Sequence, residues 1–185
     1  YISGGCQRPD MRDVINKSFD TDKFLCQDIR AREIGRKPEY ATHTPRLVVR
    51  KYKASGADEY FVSFESNDRA ALFGFVRLRI PQRDHLPAFK CLRDTGLVRE
   101  LHVYGNVTPV GHSADNTQHR GLGQKLLNIA ETIAKREGVS GLAVISGVGV
   151  MDYYQKLGFY YNDTFMIKLW MQWWLVRWWA RVRLI

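Results

Sequence analysis

The chain has 185 residues, 45% of them hydrophobic, with 28 lysines and arginines against 19 aspartates and glutamates. That is enough for one globular domain with a core, and no internal repeat or low-complexity run is visible. The net charge of +9 is compatible with an anionic partner, namely nucleic acid, a phosphorylated cofactor or an acidic membrane surface, and charge alone does not exclude a merely soluble basic surface. The three cysteines are odd in number and far apart, which argues against a disulfide framework or a zinc site and favours a reducing, cytoplasmic environment.

Residues 1–45 are predicted to form a basic arm or linker before the main domain. Pro9 to Lys17 has the pattern of a short helix, because the proline comes early and Met11, Val14 and Ile15 are apolar. Positive charge then accumulates between Phe24 and Pro38. The basic residues of this stretch are Arg30, Arg32, Arg36 and Lys37.

Three strands separated by tight turns are predicted next, at Arg46–Lys53, Glu59–Glu65 and Ala71–Ile80. Successive strands joined in this way form an antiparallel meander. After a charged loop, a fourth strand is predicted over Leu97–Tyr104. Strict alternation would place Glu100, His102 and Tyr104 on one face and Arg99, Leu101 and Val103 on the other.

A glycine-rich stretch then opens a predicted helix. The stretch reads Gln118-His119-Arg120-Gly121-Leu122-Gly123, and the apolar face that follows consists of Leu122, Leu126, Leu127, Ala130, Ile133 and Ala134. Glycines at a helix start let the backbone approach a ligand, and the free N–H groups there suit a pyrophosphate. By itself the stretch is equally well explained as a turn.

The remaining predicted elements are a buried strand from Gly141 to Ser146, a short helix from Val150 to Leu157, and a final strand or strand pair within Phe159–Leu169. A helix between the fourth and fifth strands permits a parallel crossover. The sequence therefore predicts one mixed sheet with flanking helices.

Four segments in this order give the chain a family resemblance: Arg99–Gly105 (RELHVYG), Gln118–Gly123 (QHRGLG), Ala143–Gly149 (AVISGVG) and Tyr153–Phe159 (YYQKLGF). The chain resembles the GNAT acetyltransferases and, within them, the acetyltransferase half of the Elongator catalytic subunit family. Residues 26–35 resemble the segment that joins the two halves of that protein. The radical half has no counterpart here, so we expect acetyl-CoA as cofactor, no iron–sulfur cluster, no S-adenosylmethionine and no zinc.

The resemblance implies an α+β GNAT fold for residues 46–169. In that fold two neighbouring parallel strands splay apart and acetyl-CoA enters the gap; here these would be Leu97–Tyr104 and Leu142–Ser146. The pantetheine would pair with the main chain of Glu100, Leu101, His102 and Val103. The pyrophosphate would bind the N–H groups of Gln118, His119, Arg120, Gly121, Leu122 and Gly123.

Tyr154 is the expected general acid, because its phenol can lend a proton to the departing thiolate. Tyr153 is rotated by about 100 degrees along the helix and is expected to be packed. Glu100 and His102 are candidates for a base or for ordering a water molecule, although a satisfied core histidine is the favoured interpretation of His102.

The resemblance also implies tRNA as a partner, with acetyl-CoA used to modify the wobble uridine, and other Elongator subunits as further partners. The basic residues expected to contact phosphates are Arg30, Arg32, Arg36, Lys37, Arg46, Arg50, Lys51 and Lys53. Three alternatives stay open: a solvated basic face, a lysine acetyltransferase acting on a protein such as histone or tubulin, and a non-catalytic RNA-binding module.

Residues 170–185 form a distinctive tail with five tryptophans and several arginines. A spanning helix needs about 20 mostly apolar residues, and this run is shorter and interrupted by arginine. We expect an interfacial or packed segment that touches a membrane surface or a partner.

Overall fold

The first three strands form the predicted antiparallel meander. The computed structural model describes residues 10–18, 26–82, 87–104 and 121–170. β1 (Arg46–Ala54) and β2 (Ala57–Glu65) are joined through Ser55 and Gly56, which both have positive φ. That is the backbone of a two-residue hairpin turn whose twist matches its strands. β3 (Leu72–Pro81) then pairs antiparallel with β2.

A parallel pair occupies the centre of the sheet. β4 (Thr95–Val103) pairs antiparallel with β3 and parallel with β5 (Gly141–Ile145). Parallel neighbours need a crossover, and α2 (Leu122–Arg136) supplies it. The fold therefore confirms the predicted crossover.

The last strands of the described residues form a pair. α3 (Met151–Lys156) leads into β6 (Tyr160–Asn162), and β7 (Phe165–Leu169) inserts between β5 and β6. The resulting seven-stranded sheet has the order β1-β2-β3-β4-β5-β7-β6. The sheet is mixed, as predicted. For Phe159–Leu169 either one strand or a strand pair was predicted, and the strand pair is observed.

The helical segments before the sheet are short. α1 (Met11–Ser18) lies where a helix is predicted. Residues 30–40 form three single 3₁₀ turns, at Arg30–Arg32, Ile34–Arg36 and Pro38–Tyr40. Ile34 is buried in a cluster with Phe73 of β3, so this segment packs on the sheet.

The largest core cluster lies between the sheet and α2. The predicted apolar stripe is buried there, with Leu126, Leu127 and Ala130 fully enclosed and Ile133 partly so. The strands contribute Val62, Val76, Leu78, Leu142 and Val144. Each fully buried aliphatic side chain of this kind contributes about 1.5–3 kcal/mol by leaving water, so this cluster fixes α2 on the sheet.

The opposite face of the sheet buries charge. Both oxygens of Glu65 accept hydrogen bonds from the Arg50 guanidinium, at 2.6 and 3.0 Å, and the Ser63 hydroxyl donates to one of them at 2.6 Å. Nη1 of Arg32 lies 3.2 Å from the same carboxylate, and Arg32 is only 4% exposed. A buried carboxylate needs such partners, so two arginines distant in sequence are tied to one strand.

The tail was predicted as a packed or interfacial segment, and only Trp170 of it lies among the described residues. Its indole N–H donates to the carbonyl of Val139 at 3.0 Å, and the ammonium of Lys135 lies 4.6 Å from its ring centroid. Trp170 therefore packs on the end of α2. In the described ranges no helix is long and apolar enough to cross a membrane.

Candidate active site

β4 and β5 separate after four residue pairs. Their parallel ladder runs from Thr95 and Gly141 to Val98 and Val144, while β4 continues to Val103. A register shift explains the separation: Arg77 pairs with Glu100 and Leu78 with Val98, so Arg99 is an extra residue in β4. A bulge of this kind bends its strand and increases the twist. Among the described residues, the main-chain edge of 99–103 that faces β5 therefore has no ladder partner.

The bulge also changes which side chains share a face. Val98 is buried in the core under α2, and Leu101 packs against that core. Arg99 bonds instead to Glu59 at 3.1 Å on the other face, where Glu100 meets Arg77 at 3.0 Å. The predicted grouping of Arg99 with Leu101 is therefore wrong, because strict alternation fails at a bulge.

The start of α2 lies above this gap. Gly121 has φ of 89°, in the left-handed region, and a side chain there would meet open space. A methyl group at Gly123 would lie 3.4 Å from the Tyr153 hydroxyl and 3.5 Å from Cγ2 of Val103. The first turn of α2 has no acidic side chain and no side-chain cap within the described part of the chain, so no described side chain accepts hydrogen bonds from its first N–H groups. Gln118, His119 and Arg120 lie outside the described residues.

The two tyrosines of α3 differ in burial, in the opposite sense to our expectation. Tyr154 is 6% exposed and packs edge-on to Phe159, whereas Tyr153 is 39% exposed. The expectation that Tyr153 is the packed neighbour is wrong, because α3 docks with position 154 against the core. Burial raises the pKa of both phenols above 10, and for Tyr154 the neighbouring Tyr153 adds a smaller contribution. Both hydroxyls therefore keep their protons at neutral pH.

His102 is exposed, so its interpretation as a satisfied core histidine is wrong. Its ring lies over Phe75 at 5.5 Å and nearly parallel to Tyr104 at 6.2 Å. Glu100, the other candidate base, is occupied by the Arg77 guanidinium. Of the two, His102 has the side chain that a ligand can reach more freely.

An exposed apolar group at the diverging end of β5 was not predicted. Ile145 and Val150 are about half exposed, and Val148 is 87% exposed. These residues lie in and beside a glycine-rich turn, Gly147-Val148-Gly149. Apolar residues inside a glycine-rich turn are the signal that could have found them, since a turn at the surface cannot bury them.

The predicted phosphate-contacting residues fall into two groups. Arg32, Arg50 and Lys51 are engaged internally: the two arginines with Glu65, and Lys51 with Asp58 at 2.9 Å and Glu137 at 3.4 Å. The remaining cations are Arg30, Arg36, Lys37, Arg46 and Lys53; all are at the surface, with Lys37 half-buried and Arg36 near Glu33 at 3.7 Å. Arg32 as a phosphate contact is a wrong prediction, because its charge is buried against Glu65.

A mixed sheet with a splayed parallel pair and a helix beginning above the splay is the fold of this chain, and together with the family match it identifies an acetyl-CoA-dependent acyltransferase. The chain belongs to the acetyltransferase (GNAT) family, whose profile matches residues 25–159. It is 40% identical over 174 residues to the tRNA uridine(34) acetyltransferase of Dehalococcoides mccartyi, covering 91% of this chain and 37% of that protein. It is 42% identical over 175 residues to Elongator complex protein 3 of Schizosaccharomyces pombe, covering 90% and 32%.

A solved structure shows the same relationship. The archaeal Elp3 of Methanocaldococcus infernus, with an N-terminal deletion, superposes with a TM-score of 0.73 at 34% identity, covering 88% of this chain and 40% of that one. The chain spans about a third of the length of the curated relatives it matches, and so corresponds to their acetyltransferase part.

Proposed function

We propose that this chain uses acetyl-CoA in the modification of the tRNA wobble uridine. The observation that carries the proposal is the gap between β4 and β5 beneath the start of α2, where a strand edge and a helix start meet, both without a partner among the described residues. The name of the similar Dehalococcoides mccartyi protein points to a uridine of tRNA as the acceptor.

The residues present fit acetyl-CoA. The unpaired main chain of 100–103 can accept a pantetheine arm as an added strand, since amide groups pair with amide groups. The open left-handed turn at Gly121 and the first N–H groups of α2 suit the pyrophosphate. Acetyl-CoA supplies an acetyl group activated as a thioester.

Gly121→Asp should weaken acetyl-CoA binding about tenfold or more, because it places a negative charge at the positive end of α2. Isothermal titration with acetyl-CoA measures the effect. Gly121→Asn has the same shape without the charge and should lose less. Gly138→Asp is the matched control for backbone strain, since Gly138 also has positive φ but lies at the far end of α2. Equal losses for all three variants would contradict this placement.

The two tyrosines of α3 take different roles in this proposal. Tyr154 holds the proton that the leaving sulfur takes, since its phenol is neutral and makes no hydrogen bond to another described residue. Tyr153 lies beside Gly123 with an accessible hydroxyl and helps to hold the anion at the start of α2. His102, exposed on β4, orients a water molecule or accepts a proton on the acceptor side.

Binding of tRNA requires basic side chains that are exposed. Arg46 on β1 and Arg30 in the preceding segment are exposed and form no ion pair within the described ranges. Lysines and arginines that neutralise phosphates release counterions, which makes binding strongly salt-dependent. These two side chains are our candidates for phosphate contacts.

Arg30→Glu combined with Arg46→Glu should weaken tRNA binding about tenfold at moderate salt and flatten the dependence of affinity on salt concentration. Filter binding at several salt concentrations measures both. Lys17→Glu with Arg136→Glu is the matched control, because it makes the same change in net charge at two other exposed positions. If both double variants behave alike, the effect is one of net charge and no specific surface is involved.

The proposed function as a whole is tested by acetyl-CoA turnover with and without tRNA. We expect tRNA to stimulate turnover, while a lysine-containing peptide does not. Transfer to the peptide without any response to tRNA would instead support a protein lysine acetyltransferase.

A further inference from the structure

A second cavity, of about 290 Å³, lies far from the gap. It is found where β4 and β5 begin, whereas the gap opens where they end. Strand β4 has nine residues, and its first residue Thr95 lies eight steps from its last residue Val103, which is about 26 Å at the usual rise. The residues that line the cavity are Lys90, Cys91, Arg93, Asp94, Thr95, Ser140, Tyr160, Asn162, Ile167 and Leu169.

The cavity opens on the face of the sheet opposite α2. Tyr160, Ile167 and Leu169 are paired or alternate along β6 and β7, so they share one face. Ile167 packs with Cys91 and Leu92, whereas its neighbour Met166 packs under α2. The cavity is therefore separate from both the main core and the cofactor gap.

One wall of the cavity is cationic. Lys90 and Arg93 are both exposed side chains, and among the residues that line the cavity Asp94 contributes one carboxylate to their two positive charges. Guanidinium and ammonium groups together favour a phosphate over a neutral ligand, because an arginine can bind phosphate through two parallel hydrogen bonds. The wall therefore fits an anion of this type.

The opposite wall suits a planar heterocycle. The ring of Tyr160 is about half exposed and offers a face on which a base can stack. Asn162 lies two residues further along β6 on the same face, and its amide both donates and accepts hydrogen bonds. An acyl chain would use neither the amide nor the cations, and a peptide carboxylate would leave the ring unused.

A buried hydroxyl between these walls has no partner. Thr95 is 2% exposed, and its Oγ1 makes no hydrogen bond to any described residue. The nearby Ser140 hydroxyl, in contrast, donates to the Asp94 carbonyl at 2.8 Å. Buried polar groups are normally paired, so a hydroxyl left unpaired at the lining of a cavity indicates a ligand that completes it.

We infer that this cavity binds a nucleoside monophosphate, either free or as one unit of an RNA strand. Lys90 and Arg93 bind the phosphate, Tyr160 stacks on the base, and Asn162 and Thr95 supply hydrogen bonds. The inference does not depend on the proposed acetyl transfer, because it concerns a different site and is measured by binding alone.

The test is a titration of the full chain with uridine monophosphate, adenosine monophosphate and a short oligouridylate, in the presence of saturating coenzyme A. Coenzyme A itself contains a phosphorylated adenosine, so saturation prevents the probes from binding in the gap. Saturable binding of at least one probe is expected. If the oligouridylate binds more tightly than the mononucleotides and its binding depends steeply on salt, the ligand is RNA. If a mononucleotide binds as tightly as the oligouridylate, the ligand is a free nucleotide.

Tyr160→Ala should weaken binding about tenfold or more, because stacking on an aromatic ring contributes that much per base. Tyr161→Ala is the matched control: it is the next residue of β6, points to the other face and is more exposed. Lys90→Ala with Arg93→Ala should cause a comparable loss. Retained coenzyme A binding shows that each variant is folded.

Thr95→Val separates a ligand contact from a structural role. It keeps the shape and removes only the unpaired hydroxyl, so thermal stability should be unchanged or higher while nucleotide affinity falls.

Bound nucleotide should also slow alkylation of Cys91, with the half-buried Cys26 as internal reference. No saturable binding with coenzyme A present, or equal affinities for the Tyr160→Ala and Tyr161→Ala variants, would overturn the inference.

Discussion

Tyr154→Phe is expected to lower kcat for acetyl-CoA turnover about 100-fold or more, the usual contribution of a positioned general acid. The substitution removes only the hydroxyl, and the ring keeps its edge-on contact with Phe159 at 5.6 Å. Acetyl-CoA affinity and thermal stability should therefore change little. Steady-state kinetics, titration with acetyl-CoA and thermal unfolding together separate these effects.

Tyr153→Phe is the matched control, because it removes the same group one residue earlier. Its hydroxyl lies beside Gly123 at the start of α2, so its loss should raise KM and leave kcat nearly unchanged. A large fall in kcat for Tyr153→Phe, together with a silent Tyr154→Phe, would mean that the exposed tyrosine is the acid. The buried tyrosine would then be a packing residue only.

The protonation state of Tyr154 supports the acid role over that of a base. Burial raises its pKa above the ordinary value of 10, and Tyr153 raises it further. The phenol therefore stays neutral throughout the neutral pH range, where it can give up a proton but cannot accept one. A decline of kcat between pH 6 and 8 must then have an origin other than the ionisation of Tyr154.

Local patterns were sufficient to predict most of the fold. The alternation in β1 to β3 and the helical spacing of apolar residues in α2 indicate which face of each element is buried. Both patterns can be recognised from residues that are close in sequence. The helix between β4 and β5 permitted a parallel crossover, and the observed parallel pairing of these strands confirms it. The glycine stretch was informative for a similar reason, since the positive φ at Gly121 is a local property.

The site depended more on long-range contacts. No pattern marks Arg99 as a bulge, because the bulge is defined by its pairing with β3, more than twenty residues earlier. The ion-pair partner of a charged side chain is equally difficult to predict from sequence. Arg32 resembles its exposed neighbours Arg30 and Arg36 in sequence, yet it pairs with Glu65. Whether Tyr153 or Tyr154 is buried depends on how α3 docks, which the spacing of two adjacent tyrosines cannot decide.

The buried charge at Glu65 leads to the second large expected effect. Glu65→Gln should lower the free energy of unfolding by about 3–5 kcal/mol at pH 7, because it leaves the buried Arg32 without a counterion. Denaturant unfolding followed by circular dichroism measures it. Glu33→Gln is the matched control, since it weakens a partly exposed contact with Arg36 at 3.7 Å and should cost less than about 1 kcal/mol.

The pH dependence of this difference identifies its cause. Burial by itself would raise the pKa of Glu65, but the hydrogen bonds from Arg50 and Ser63 and the charges of Arg32 and Arg50 outweigh it and hold the pKa below its usual value. A carboxyl with a lowered pKa in the folded state stabilises the protein above its unfolded pKa, near 4.5, and loses that effect as the pH falls through the folded value. The stability difference between wild type and Glu65→Gln should therefore be constant above about pH 5 and shrink in acid. A difference that does not change with pH would show that shape, and not the carboxylate charge, holds residues 30–40 against the sheet.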